Sequence, residues 1–134
     1  MKKNADSKSE PEHSLLVKLL DDYQNKRYES AEKTARLITE EFQDHPFAWK
    51  LLGALLNQTG RVSEALTACQ KSVLLDSNNA EAHNNLGNTF YKLDRLEEAE
   101  SSYRKSIEID TINALAHYNL GKTLQKAGDF EQSE

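Results

Sequence analysis

Apolar and small residues recur along this chain at helical spacing, and the spacing itself recurs every 34 residues. In the stretch beginning at Ala80, the residues Ala82, Leu86, Gly87, Phe90 and Leu93 mark one face of a helix. A break follows at Asp94-Arg95, and a second helical stretch carries Leu96, Ala99, Tyr103, Ser106, Ile107 and Ile109 before stopping near Asp110. The columns hold on either side. Leu52, Leu86 and Leu120 are in step, as are Gly53, Gly87 and Gly121, and Leu56, Phe90 and Leu124. Trp49, His83 and His117 share a column, and so do Ala65 and Ala99, Cys69 and Tyr103, Asp76 and Asp110, and Asn79 and Asn113. A fixed period with neither insertion nor deletion is the mark of an array of one supersecondary unit.

The pattern predicts, for each unit, a helix, a tight turn, a second helix and a short polar turn. Connections this short force neighbouring helices antiparallel. The units run 46–79, 80–113 and 114–134, with a divergent first unit at 12–45 and a disordered tail at 1–11. In that first unit Leu15 aligns with Trp49 and Ala31 with Ala65, but Leu19 stands where later units have Gly, and Lys26 replaces the turn Gly60. Asn79 and Asn113 are placed to cap the helices that follow them. A Gly inside a helix costs about 1 kcal/mol relative to Ala, so its repetition implies close approach of a partner helix. The last unit is expected to break at Gly128-Asp129 and to start its second helix near Phe130. That stub is too short to cover Leu120 and Leu124, so the end of the array is expected to be continued by more chain, covered by a partner, or open to self-association.

Composition narrows the function. At 37% hydrophobic and 29% charged residues, the chain suits a thin stack better than a single central core. A net charge of −5 speaks against a general nucleic-acid binder. No apolar run is long enough to span a membrane and no signal segment opens the chain, so the expected compartment is the cytoplasm. Cys69, alone of its kind, reads as a small buried residue. His83 and His117 do not read as a metal pair: they share the column of Trp49, and adjacent first helices stand roughly 10 Å apart, too far for one zinc. No phosphate loop, nucleophile motif or acid–base pair is present, so neither a cofactor nor catalysis is expected.

The unit resembles the tetratricopeptide repeat. The residues that carry the likeness are Trp49, Leu52-Gly53, Leu56, Ala65, Cys69, Ser72 and Ser77 in one unit. The next has His83, Leu86-Gly87, Phe90, Ala99, Tyr103, Ser106 and Thr111, and the third has His117, Leu120-Gly121 and Leu124. Departures are His for the first aromatic residue, Ser for the third small residue, and Ser or Thr for the closing Pro. The resemblance implies an all-α solenoid of about three and a half repeats of antiparallel helix pairs, wound as a right-handed superhelix, whose first helices line a concave face. It further implies a protein-interaction scaffold that holds an extended peptide or a partner's helix in that groove. On those helices the candidate peptide-binding residues are Lys50, Asn57, Asn84, Asn85, Asn88, Tyr91, Lys92, Tyr118, Asn119, Lys122 and Lys126.

The stretches around Asn85 and Asn119 are similar to those of superhelices of the O-linked N-acetylglucosamine transferase type. In that group, asparagines at the matching position grip the backbone of an extended peptide, which an amide can do as both donor and acceptor. Leu51 interrupts such a ladder one unit earlier. The carboxylate clamp of chaperone-binding members fits poorly: Lys50 and Asn85 match two corners, but Ala54, Leu115 and Asn119 stand at the others. Lys50, Lys92, Lys122 and Lys126 place positive charge on the groove face and would favour an acidic peptide. Two other readings stay open. The repeats could be the substrate-recruiting N-terminal part of a larger enzyme, of glycosyltransferase or sulfotransferase type, or a structural module that stacks through its open end.

Overall fold

The computed structural model describes residues 10–133, the last four by their backbone alone. Most of the expected tail, residues 1–9, lies outside that range, as does Glu134; Pro11, at the tail's end, is buried. The described chain is all helix and turn, in the order α1 His13–Gln24, α2 Tyr28–Glu41, α3 Pro46–Gln58, α4 Val62–Leu75, α5 Ala80–Lys92, α6 Leu96–Ile109 and α7 Ala114–Ser133. Each helix packs on the next, and the first helices also touch across the units, α3 against α5 and α5 against α7. The result is an α-solenoid of antiparallel hairpins. Its core falls into two clusters along the stack, with Leu19, Ile38, Leu52 and Leu56 among the buried residues of the first. Leu86, Phe90 and Tyr103 belong to the second.

The turns inside the hairpins share one geometry. Arg27, Arg61 and Arg95 donate their backbone N–H to the carbonyls of Asp22, Leu56 and Phe90, five residues back. The residue before each Arg takes a left-handed conformation: Lys26 at φ 61°, Gly60 at 83° and Asp94 at 60°. This is a Schellman closure, in which Gly is the unstrained choice. Between hairpins the cap column behaves as its residue types suggest. Asn79 Oδ1 accepts from the Ala82 N–H at 3.0 Å and Asn113 Oδ1 from the Ala116 N–H at 3.1 Å. His45, one period earlier, does the same with Nδ1 for Ala48 at 3.2 Å.

The first-aromatic column proves to be a hydrogen-bonding column. Trp49 Nε1 donates to the carbonyl of Gln43 at 2.8 Å. The Nε2 atoms of His83 and His117 sit 2.8 Å and 2.9 Å from the carbonyls of Ser77 and Thr111, each six residues back. From Trp49 onward the column holds a flat ring with a nitrogen on its far side, which His supplies as well as Trp does, whereas Leu15 in the first unit has none.

One expectation is corrected. No break occurs at Gly128-Asp129, and α7 runs unbroken to Ser133. In the earlier hairpins the turn is held by a full second helix packed back on the first. Among the described residues no second helix packs back on α7 to hold such a turn, and the helix continues instead.

Candidate functional site

The first helices leave a groove of about 340 Å³, lined by Tyr23 from α1, Ala54, Asn57 and Gln58 from α3, and Asn85, Asn88, Tyr91 and Lys92 from α5. Lys122 of α7 and Tyr103 of α6 complete the lining. Tyr23, Asn57 and Tyr91 belong to one column of the repeat, so one helical face contributes at each level of the stack.

Six residues singled out from the sequence line this groove together: Asn57, Asn85, Asn88, Tyr91, Lys92 and Lys122. The Asn85 side-chain amide forms no hydrogen bond among the described residues, and so offers a donor and an acceptor to an occupant. Tyr91 is flanked by two cations, Lys126 Nζ at 4.6 Å and Lys122 Nζ at 4.9 Å from its ring centroid. Lys126 is balanced by Asp94 at 2.6 Å, a contact that raises its pKa. Lys122 has no carboxylate partner among the described residues, and its Nζ also lies over the Tyr118 ring, 5.6 Å from the centroid. Lys92 donates to the backbone carbonyl of Asn57 at 2.8 Å.

The other candidates stand elsewhere. Lys50 is tied to Glu81 at 2.8 Å, with its side chain 12% exposed. Asn84 and Asn119 are 4% and 6% exposed, in the seam between α5 and α7. There Asn119 Nδ2 donates to Oδ1 of both Asn84 and Asn88, each at 3.3 Å. The two asparagines expected as equivalent rungs are therefore unlike: Asn85 faces the groove, while Asn119 uses its N–H groups to hold α7 on α5. Tyr118, at 66% exposed, lies open beside Lys122.

Tyr103 was not legible as a groove residue, because it lies on a second helix. Its ring packs where a Gly87 Cβ would stand, 2.6 Å from the nearest ring atom. Its hydroxyl reaches the first-helix layer and donates to Asn88 Oδ1 at 2.6 Å. Burial pushes its pKa up. The repeated Gly was the signal that a ring could reach that far. With Oδ1 of Asn88 taken by Tyr103 and Asn119, its Nδ2 is the atom left for an occupant. Beneath lies Cys69, 1% exposed, its thiol pushed up to about 11 by burial.

Among the described residues no cluster of His, Cys, Asp and Glu could hold a metal ion, and no helix is long and apolar enough to cross a membrane.

Comparison with known proteins bears on this architecture. A family model described as TPR repeat matches residues 53–94 and 87–128. No curated protein matches the chain in sequence. Among solved structures, the first TPR of Spaghetti (RPAP3) bound to the HSP90 peptide SRMEEVD superposes with a TM-score of 0.81 at 20% identity, covering 86% of this chain and 91% of that one. The Sgt2 TPR domain from Aspergillus fumigatus gives 0.85 at 16% identity, over 93% and 86%. An O-GlcNAc transferase from Thermobaculum terrenum gives 0.80 at 25% identity, over 83% of this chain and only 21% of that one.

Proposed function

Because the chain belongs to the tetratricopeptide repeat family, we propose that its groove holds an extended peptide of a partner protein, gripped by backbone and steered by acidic side chains. The observation that carries this reading is the pairing of an uncommitted amide at Asn85 with an unneutralised cation at Lys122 on one groove wall. An amide meets the backbone of an extended chain whatever its side chains. A lysine held against two tyrosines meets a carboxylate of the same chain. Two similar solved domains, both from RPAP3-type proteins, are bound to peptides, SRMEEVD in one and SGPTIEEVD in the other.

Recognition here differs from a clamp for a terminal carboxylate. Lys50 is occupied by Glu81, Asn119 is buried, and Leu115 supplies no charge. The reading is of a scaffold that binds and does no chemistry of its own. Recruitment of substrate for a catalytic region elsewhere in a longer protein is a second reading, favoured by the likeness to a fifth of an O-GlcNAc transferase.

Selection of random twelve-residue peptides on the immobilised protein, followed by titration of the recovered sequences, tests the proposal. Enriched peptides should carry Asp or Glu, and Asn85→Ala and Lys122→Ala should each weaken binding about five- to tenfold. Recovered peptides indifferent to both substitutions would remove the groove from consideration.

A further inference from the structure

Among the described residues, the buried side-chain nitrogen and oxygen atoms all have hydrogen-bond partners except one, Oδ1 of Asn57. Asn57 is 7% exposed and stands in the wall of the groove. An unsatisfied buried acceptor is costly, and native proteins rarely keep one without a reason.

Turning the amide over does not cure the defect. Asn57 Nδ2 donates to Thr89 Oγ1 at 2.8 Å, and Thr89 Oγ1 in turn donates to the backbone carbonyl of Asn85 at 3.0 Å. With its proton on that carbonyl, the Thr89 oxygen accepts from Asn57, and Cys69 Sγ stands 3.5 Å away as its third neighbour. A reversed Asn57 would draw the Thr89 proton off the Asn85 carbonyl and leave two buried N–H donors unmet in place of one acceptor. The Asn57–Thr89–Asn85 relay fixes which end of the amide is left over, and it ends at the residue whose own amide faces the groove.

We propose that Asn57 Oδ1 is a specificity-determining acceptor that takes one backbone N–H of the bound segment, so that the groove refuses proline or an N-alkylated residue at that register. The inference rests on the peptide-groove reading above. Oδ1 itself is buried, and the exposed Lys92 donates to the backbone carbonyl of the same residue. An exposed lysine leaves such a bond readily, and the arriving segment takes its place. A neutral N–H suits the site better than a ligand ammonium, because Lys92 and Lys122 already make this groove positive. Together, Asn57 as acceptor, Asn85 as donor and acceptor, and Asn88 Nδ2 as donor provide for the alternating N–H and C=O groups of extended backbone.

The test is an N-methyl scan of an acidic peptide recovered by the selection above, titrated against the full chain and its Asn57→Leu variant, which keeps the shape and removes the acceptor. One register should lose about tenfold in affinity on N-methylation with the unaltered protein and lose nothing further with Asn57→Leu. Asn57→Asp, which keeps an acceptor oxygen at that position, should retain the sensitivity. If Asn57→Leu no longer melts cooperatively, the scan on the unaltered protein decides, and a flat scan overturns the inference. An N-methyl penalty that persists in Asn57→Leu also overturns it. Peptides that need Asn85 but ignore Asn57 leave the groove reading standing and remove this one. Recovery of no groove-binding peptide removes both.

Discussion

Gly53, Gly87 and Gly121 occupy one column of the repeat and meet three different surroundings. A Cβ on Gly53 would lie 2.6 Å from Cys69 Sγ, and one on Gly87 would lie 2.6 Å from Tyr103, while Gly121 has nothing within 4 Å. In the first unit the sizes are exchanged: Leu19 fills the glycine column, and the residue in the Cys69 column is Ala35, both fully buried. Gly53 and Gly87 stand where the facing side chain leaves no room for a Cβ, and Leu19 fits where the facing residue is Ala35. Gly87→Ala should therefore destabilise the fold by about 1–3 kcal/mol through overpacking. Gly121→Ala should stabilise it by up to about 1 kcal/mol through helix propensity. Urea unfolding of the two variants checks both signs. A second expectation concerns His83. His83→Phe should cost about 1 kcal/mol by orphaning the Ser77 carbonyl, whereas His83→Trp should restore the loss, since Trp49 makes that bond one period earlier. Comparison of their melting temperatures decides.

At the scale of the element, helices here are set by their ends. The cap column runs His45, Asn79, Asn113, and His45 alone can be switched off by acid. Burial lowers its pKa below the ordinary 6.5. A folded value below the unfolded one means that the unfolded chain binds the extra proton first. The contribution of this cap is thus complete above pH 6.5 and is lost as pH falls through the folded value. His45→Asn should flatten the melting temperature between pH 7 and 5, as thermal denaturation would show. At lower pH the first hairpin is the next to weaken. Asp22 stands where later units have Leu56 and Phe90, and is buried among Lys18 at 2.7 Å, Ser30 at 2.7 Å and Arg27 at 2.8 Å. These bonds hold its carboxyl well below the usual 3.8, so their support is present above that pH and lost below it. At the turn, Lys26→Gly should stabilise the first hairpin by roughly 0.5–1 kcal/mol, because Lys holds a left-handed conformation there.

At the scale of the whole molecule, stability in a solenoid comes from neighbours, and among the described residues α7 is packed only by α5 and α6. Leu124 is 41% exposed, against 1% for Leu56 and 6% for Phe90 in the same column. Replacing the residues after Asp129 with a copy of residues 96–113 should bury Leu124, force a turn at Gly128 and raise the midpoint of urea unfolding. In that longer chain Gly121→Ala should reverse its sign and become destabilising. A stabilising Gly121→Ala in both contexts would mean that this column does not work by packing.

The period, the helix starts, the Asn79 and Asn113 caps and the turns before Arg27, Arg61 and Arg95 were legible in the residues, because each depends on contacts within a few positions along the chain or on a pattern that repeats. Pro46, Ala80 and Ala114 open helices where the spacing put them. Six groove residues were found for the same reason: they share a helical face, and helical faces can be counted. The sequence did not reveal which amide of that face is free. Asn85 and Asn119 are the same residue in the same column, but one meets the groove and the other meets Asn84 and Asn88 across the next helix. Nor could it reveal that Tyr103 reaches the groove wall past Gly87, that Asn57 keeps an unpaired oxygen, or that α7 runs on past Gly128. Each of these is decided by what stands on the far side of a neighbouring helix. A repeat specifies its own backbone locally, whereas the hydrogen-bonding state of a side chain in the seam is fixed only when two repeats meet.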